Sequence, residues 1–215
     1  MAIKAVIFDL DGTLLDTCND LANAVNFALN KNGFPTHNPQ MFKIFTGDGT
    51  DVMITRALPE NRRDIETLKK VREDYFEFYN EHSGEFTRSY DGIPQLLEGL
   101  KERGIMLAVT SNKIEFMTQS VINNYFGDIF DFVTGQCDGI PPKPDPSMVF
   151  KAMKNLGVEP SECLYVGDTG VDAKTGKNAG IFTVGVLWGF REEKELIENG
   201  ADSVVDKPCQ ILNFI

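Results

Sequence analysis

The run Ala5-Val6-Ile7-Phe8, followed at once by Asp9-Leu10-Asp11-Gly12-Thr13-Leu14-Leu15-Asp16, constrains this chain more than any other stretch. Four apolar residues in a row, without polar alternation, read as a parallel strand buried on both faces. Such a strand needs neighbouring strands beside it and helices above and below. It stops at two carboxylates one residue apart. Gly12 then permits a turn, because it tolerates backbone angles that other residues avoid. In open α/β sheets, ligand chemistry gathers outside the carboxyl ends of the strands. Two acids at such an end call for a cation or a proton, although solvated turn aspartates show the same spacing.

The rest of the chain supplies the partners this strand needs. From Tyr90 onward, strand-like runs alternate with helical ones: strands at Ile105 to Thr110, Phe130 to Thr134, Cys163 to Val166, Phe182 to Leu187 and Ser203 to Val205. That rhythm implies a parallel sheet with helices on both faces, an α/β fold. Residues 16–87 differ. They read as almost wholly helical, with Thr17 or Asn19 as a first cap and a long helix from about Glu60 to His82. The apolar stripe of that helix is Ile65, Leu68, Val71, Tyr75, Phe78 and Tyr79. The strand at Val6 belongs with the later strands, so the helical block is an insertion. We expect an α/β core from 1–15 and 88–215 and an inserted cap from 16–87.

Charge and composition exclude several partner classes. A net charge of −11 makes nucleic acid and anionic membrane surfaces poor partners, while leaving small anions open where local cations dominate. No stretch approaches the roughly 20 apolar residues of a membrane span. The apolar run that ends at Asp9 is too short for a secretory leader. Cys18, Cys137, Cys163 and Cys209 are widely spaced, with no zinc-type or redox pair spacing. They read as reduced thiols of a cytoplasmic protein.

Three further groups stand at predicted strand ends. Asp9 and Asp11 suit a nucleophile that attacks phosphorus and an acid/base that protonates the leaving oxygen. Ser111-Asn112-Lys113 follows the Ile105 strand, where a hydroxyl and the N–H groups of a helix start could hold phosphoryl oxygens. Pro141-Pro142-Lys143-Pro144-Asp145-Pro146 fixes the backbone around one ammonium, a suitable counter-charge for a transferring phosphoryl group. Asp168 ends the Cys163 strand, and Asp172 lies one turn further on. Magnesium is a hard cation that takes oxygen ligands. Asp9, the Asp11 backbone carbonyl and Asp168 could supply part of its shell, with Asp172 behind them or serving only as a helix N-terminal charge.

Asp-Leu-Asp-Gly-Thr-Leu-Leu-Asp-Thr resembles the first motif of the haloacid dehalogenase superfamily. Ser111, Lys-Pro-Asp-Pro at 143–146 and Gly-Asp-Thr-Gly-Val-Asp at 167–172 resemble its other three, in order. Gly47-Asp48-Gly49, Arg56-Ala57-Leu58, Tyr90-Asp91-Gly92 and Gly185-Val186-Leu187-Trp188-Gly189-Phe190 are similar to phosphoglycolate phosphatase-like members. The resemblance implies a Rossmann-like core, a helical cap and Mg2+-dependent hydrolysis of a small phosphorylated metabolite. It makes Asp9 the nucleophile and Asp11 the acid/base. Ser111, Asn112, Lys143 and the cap residue Gly47 become substrate contacts. The second acid, Asp11, argues against the superfamily's dehalogenases and phosphonate hydrolases. A β-phosphoglucomutase-like phosphotransferase, a pyrophosphatase or nucleotidase, and a non-catalytic phosphate sensor remain as alternatives. Lys43, Arg56 and His82 are candidate contacts for a substrate carboxylate.

Overall fold

The computed structural model describes residues 2–215. In chain order its elements are β1 (Ala5–Phe8), β2 (Leu15–Asp16), α1 (Cys18–Lys31), α2 (Phe42–Phe45), α3 (Thr50–Ala57) and α4 (Ile65–His82). They continue with β3 (Arg88–Ser89), α5 (Ile93–Glu102), β4 (Met106–Ile114), α6 (Glu115–Phe126), β5 (Phe132–Gln136) and α7 (Ser147–Leu156). The last are β6 (Cys163–Gly167), α8 (Gly170–Ala179), β7 (Phe182–Val186), α9 (Glu193–Glu198) and β8 (Ser203–Val205). The chain divides into two compact units: the residues up to Leu15 together with Ser89–Ile215, and Asp16–Arg88.

The first unit is built on a six-stranded sheet in the order β5-β4-β1-β6-β7-β8, with each pair of neighbouring strands parallel. Successive β1 side chains point to opposite faces, and both faces are covered. Val6 and Phe8 pack with Leu97 and Leu100 of α5 and with Val109, Leu164 and Val166. Ala5 and Ile7 pack with Val149, Ala152 and Met153 of α7 and with Ala108 and Tyr165. Burial on both sides explains why this strand is an unbroken apolar run. Phe8 sits opposite Val109 on one side and Val166 on the other. The residues after these three therefore leave the sheet at one level, where the chain has switched from one side of β1 to the other.

β4 departs from the expected pattern. It was expected to end at Thr110, but extended backbone continues to Ile114, with a register shift against β5 between Thr110 and Ile114. Ser111, Asn112 and Lys113 thus lie on an irregular strand end rather than at a helix start. The Lys113 N–H donates to the Ser111 hydroxyl at 3.1 Å, a local bond in place of a ladder partner. Gly135 of β5 makes room: a Cβ there would meet the Lys113 carbonyl at 2.4 Å.

The second unit is helical. Leu21, Val25, Ala28 and Leu29 of α1 and Val71, Tyr75 and Tyr79 of α4 form its buried faces. Two local expectations fail. α4 begins at Ile65, because the Asp64 carboxylate accepts from the Thr67 N–H at 2.9 Å and caps it there, and residues 60–62 form a separate 3-10 turn. Ile65 is accordingly 85% exposed, outside the buried stripe. At α1, Thr17 holds the cap position but its hydroxyl makes no cap bond, and Asn19 lies inside the helix. Asp16 instead accepts from the Cys18 N–H at 3.1 Å.

Asp20 fastens this unit's two ends. Its buried carboxylate accepts from the N–H groups of Gly84, Phe86 and Thr87 at 2.9 to 3.0 Å and from the Thr87 hydroxyl at 2.5 Å. Asp20→Ala strands three backbone donors at once. We expect it to lower unfolding stability by about 3 kcal/mol, within the range for lost charge-assisted bonds. Urea denaturation checks this, and a change under about 1 kcal/mol would show the bonds to be replaceable by water.

Candidate active site

Asp9, Asp11, Ser111, Asn112, Lys143, Asp168 and Asp172 all belong to the first unit. Asp9 follows β1, and its N–H still bonds the Val166 carbonyl at 2.9 Å. Lys143 reaches into the sheet from the proline-rich loop after β5. Its ammonium donates to Asp9 Oδ1 at 2.6 Å, Asp172 Oδ1 at 2.7 Å, the Thr110 carbonyl at 3.2 Å and the Tyr165 hydroxyl at 3.3 Å. Asp9 Oδ2 has no hydrogen-bond partner among the described residues. One carboxylate oxygen is thus held and the other is left open.

Asp168 follows β6. Oδ1 accepts from the Thr13 hydroxyl at 2.9 Å and Oδ2 from the Phe190 N–H at 2.8 Å. The Trp188 indole N–H donates to the Thr13 carbonyl at 2.9 Å, tying the loop after β7 to the loop after β1. Glycine is needed where these loops meet. Gly12 has φ +92°, and a Cβ on it would stand 2.3 Å from the Asp168 carboxylate. Asp172, in the first turn of α8, accepts at Oδ2 from the Thr169 N–H and hydroxyl, capping that helix. Its Oδ1 holds Lys143 and accepts from the Tyr165 hydroxyl at 3.2 Å.

Asp9, Asp168 and Asp172 bring ligand oxygens within 4.8 Å of one another, all buried. Lys143 is the cation in contact with this cluster, so negative charge is in excess. Burial, then the charge of Asp172, raises the Asp9 carboxyl to about 7 against the opposing pull of Lys143. Burial, then Asp172 and Asp9, also holds Asp168 well above the usual carboxylate range. Burial alone would weaken the Lys143 ammonium's hold on its proton, but Asp172 and Asp9 keep it well above the ordinary lysine value. Crowded, buried, all-oxygen donors short of positive charge fit a hard divalent cation.

The Asp11 carboxylate is not part of that cluster. Both its oxygens accept from the Lys113 ammonium at 3.0 Å, and both residues are largely buried. Asn112, expected to touch substrate, bonds the backbone of Lys143. Its Oδ1 accepts from the Lys143 N–H at 2.8 Å and its Nδ2 donates to the Lys143 carbonyl at 3.1 Å. Both ends of the amide thereby align the lysine's backbone. Gly47 lies in the second unit between α2 and α3. It has φ +122°, and Gly49 has φ +93°, so the turn itself requires both glycines. In the same unit, Arg56 donates to the Phe45 carbonyl at 3.0 Å and pairs with Asp48 at 2.7 Å. His82 stacks on Phe78 and pairs with Glu85, and Lys43 lies in α2.

The sequence profile of the haloacid dehalogenase-like hydrolases matches residues 6–186. The chain belongs to that family. Within it, this hydrolase is a phosphatase of the phosphoglycolate phosphatase-like group. It is 35% identical to a phosphoglycolate phosphatase of Aquifex aeolicus over 219 residues, covering 99% of this chain and 97% of that one. It is 29% identical to an N-acetylmuramic acid 6-phosphate phosphatase of Pseudomonas aeruginosa over 217 residues, covering 100% of this chain and 96% of the other. Its fold superposes with a TM-score of 0.93 on a Lactobacillus delbrueckii subsp. bulgaricus protein regarded as a phosphoglycolate phosphatase. That pair is 33% identical, with 98% of this chain and 97% of that one covered. No helix among the described residues is long and apolar enough to cross a membrane.

The hydrolase's metal-free stability carries a signed pH dependence. Asp9 keeps its proton in the folded state up to about pH 7 but loses it near 3.8 when unfolded. Between those values the folded state binds more protons, so stability falls as pH rises. A divalent cation displaces those protons and reverses the trend. We expect the melting temperature in EDTA to fall from pH 5 to pH 8. MgCl2 at roughly 100 times its Kd should then raise it by about 5–10 °C at pH 8 and by much less at pH 5. Scanning fluorimetry checks this; a magnesium increment that is flat with pH would exclude these carboxylates as its ligands.

Proposed function

We propose that this phosphatase hydrolyses small phosphate monoesters, 2-phosphoglycolate foremost, with Mg2+ and through an aspartyl-phosphate on Asp9. The observation that carries the reading is the asymmetry of Asp9: Lys143 holds Oδ1 while Oδ2 is open, beside a second aspartate on its own cation. Oδ2 attacks phosphorus, and the P–O bond to the leaving alcohol breaks. Asp11 delivers the proton that the alcohol oxygen takes up. It then accepts a proton from the water that cleaves the aspartyl-phosphate, releasing orthophosphate and restoring Asp9. Lys143 and the Ser111 hydroxyl hold phosphoryl oxygens in this reading, and Asn112 keeps the Lys143 backbone in place. Asp9 and Asp168 are the carboxylates that would hold Mg2+, with Asp172 behind them. When bound, the ion offsets repulsion between carboxylate and phosphate. The choice of 2-phosphoglycolate rests on the Aquifex relative, whose name carries that activity.

The test is phosphate release with MgCl2 across 2-phosphoglycolate, N-acetylmuramic acid 6-phosphate, hexose phosphates, nucleotides and pyrophosphate. The highest kcat/KM is expected on 2-phosphoglycolate. A different preferred ester would keep the chemistry and replace the substrate. Isomerisation of a sugar phosphate without release would replace the hydrolase reading with the mutase one.

A further inference from the structure

The loop after β7 takes no part in the chemistry above, yet three of its residues in a row touch the site. The Trp188 indole N–H donates to the Thr13 carbonyl at 2.9 Å. Gly189 passes so close that a Cβ on it would stand 2.4 Å from both the Gly12 carbonyl oxygen and the Asp168 Cβ. The Phe190 N–H donates to Asp168 Oδ2 at 2.8 Å. The loop is anchored where it leaves the sheet, since the Leu187 N–H bonds the Val205 carbonyl of β8 at 2.9 Å. The turn after β1 closes on itself: the Thr13, Leu14 and Leu15 N–H groups all donate to the Leu10 carbonyl, at 3.0 to 3.2 Å. Thr13 joins this turn to its neighbours. Its hydroxyl donates to Asp168 Oδ1 at 2.9 Å, and its buried carbonyl takes the indole N–H. A buried carbonyl must find its donor within the protein.

We infer that Trp188 is a positioning residue for the Mg2+ site, fixing the turn that follows Asp9 against Asp168 through Thr13. This rests on the placement of Mg2+ on Asp9 and Asp168 proposed above, and it adds the third loop that holds their two loops together. Such a brace matters for this ion, because magnesium demands near-ideal geometry from its oxygen ligands. The indole N–H is committed to the Thr13 carbonyl, so Trp188 acts on the ion only through that residue. Outer partners of this kind change metal affinity by roughly 10–100-fold when removed. Trp188 is also the chain's single tryptophan. Its emission therefore reports on this one hydrogen bond, two bonds along from the Asp168 carboxylate.

Magnesium titrations of the full chain, followed by calorimetry and by tryptophan emission, test this. In the wild type the emission should change saturably, with the midpoint that calorimetry gives. Trp188→Phe keeps a ring against the core but has no donor, and should weaken the calorimetric Kd by roughly 10–100-fold. Thr13→Val removes the hydroxyl bond to Asp168; it should weaken the Kd as well and flatten the emission change. The double variant should lose little more than the weaker-binding single one, because both changes act through one residue. The emission titration needs only the wild type, so it decides even if Trp188→Phe unfolds. Flat emission while calorimetry saturates, an unchanged Kd in Trp188→Phe, or losses that multiply in the double variant each overturn the inference and leave the metal placement intact. A wild type that binds no Mg2+ by calorimetry overturns both.

Discussion

Asp9→Asn is expected to abolish turnover while making the metal-free protein more stable. The amide keeps the shape of the carboxylate but cannot form the phosphoenzyme. Loss of a nucleophile costs roughly 10^4-fold or more in kcat. The stability change runs the other way. Asp9 is buried with its carboxyl raised to about 7, so above that pH the folded state carries a charge it disfavours. The sign follows from linkage: ionising a carboxyl whose folded pKa is raised removes stability as pH climbs from 3.8 through about 7. Asparagine has no such charge, and Lys143 keeps Asp172 as its partner at 2.7 Å. In EDTA at pH 8 the variant should therefore melt above the wild type, and adding magnesium should narrow or invert the difference. Activity and melting curves on one preparation decide it. Residual kcat within about tenfold of wild type would remove Asp9 as nucleophile, and a lower melting temperature in EDTA would mean the buried charge is not the cost assigned to it.

The same residues show what the sequence could and could not convey. Asp9, Lys143 and Asp168 come from three segments more than a hundred residues apart at the extremes, yet the structure brings them together. Strand runs ending in polar residues were visible in the chain, and parallel strands align such ends. The strand order was not visible, because alternation of strand and helix fixes the class of sheet but not which strands are neighbours. Three local features were hidden for a different reason. Lys113 reads as an ordinary cation near a helix start until the irregular end of β4 turns it onto Asp11. Asn112 reads as a donor for phosphate, and nothing local shows that both ends of its amide bond the Lys143 backbone, 31 residues on. Tyr165 sits inside an apolar strand, and its hydroxyl matters only because Lys143 and Asp172 converge beneath the site. Each is a contact across elements, which local pattern does not encode. Ile65 is the converse, an apolar residue in register with a stripe that a cap at Asp64 places on the exposed first turn.

Lys143→Met is expected to lose both activity and stability, the opposite pairing from Asp9→Asn. The ammonium is 2% exposed at its side chain and touches Asp9, Asp172, the Thr110 carbonyl and the Tyr165 hydroxyl. Removing it leaves Asp9, Asp168 and Asp172 buried together without the cation that contacts two of them. Breaking a buried pair by deleting one partner costs about 3–5 kcal/mol. That cost should be greatest at pH 8 and smaller at pH 5, because protonation of the carboxyls removes the repulsion. The lysine itself is not the titrating group: its value lies well above 10.5, so its own contribution is constant across this range. Magnesium should recover part of the stability by neutralising the carboxylates. It should not recover turnover, since nothing then holds the phosphoryl oxygens from the Lys143 side. Lys143→Arg should do little better than Met, because a planar fork cannot place one nitrogen among four acceptors at 2.6 to 3.3 Å in a closed pocket. Urea unfolding at pH 5 and pH 8, with and without MgCl2, measures the first half, and phosphate release measures the second. Wild-type stability at pH 8 in EDTA would show that the carboxylates do not depend on this lysine. Magnesium-restored turnover in Lys143→Met would move the phosphoryl-holding role to another cation of the site.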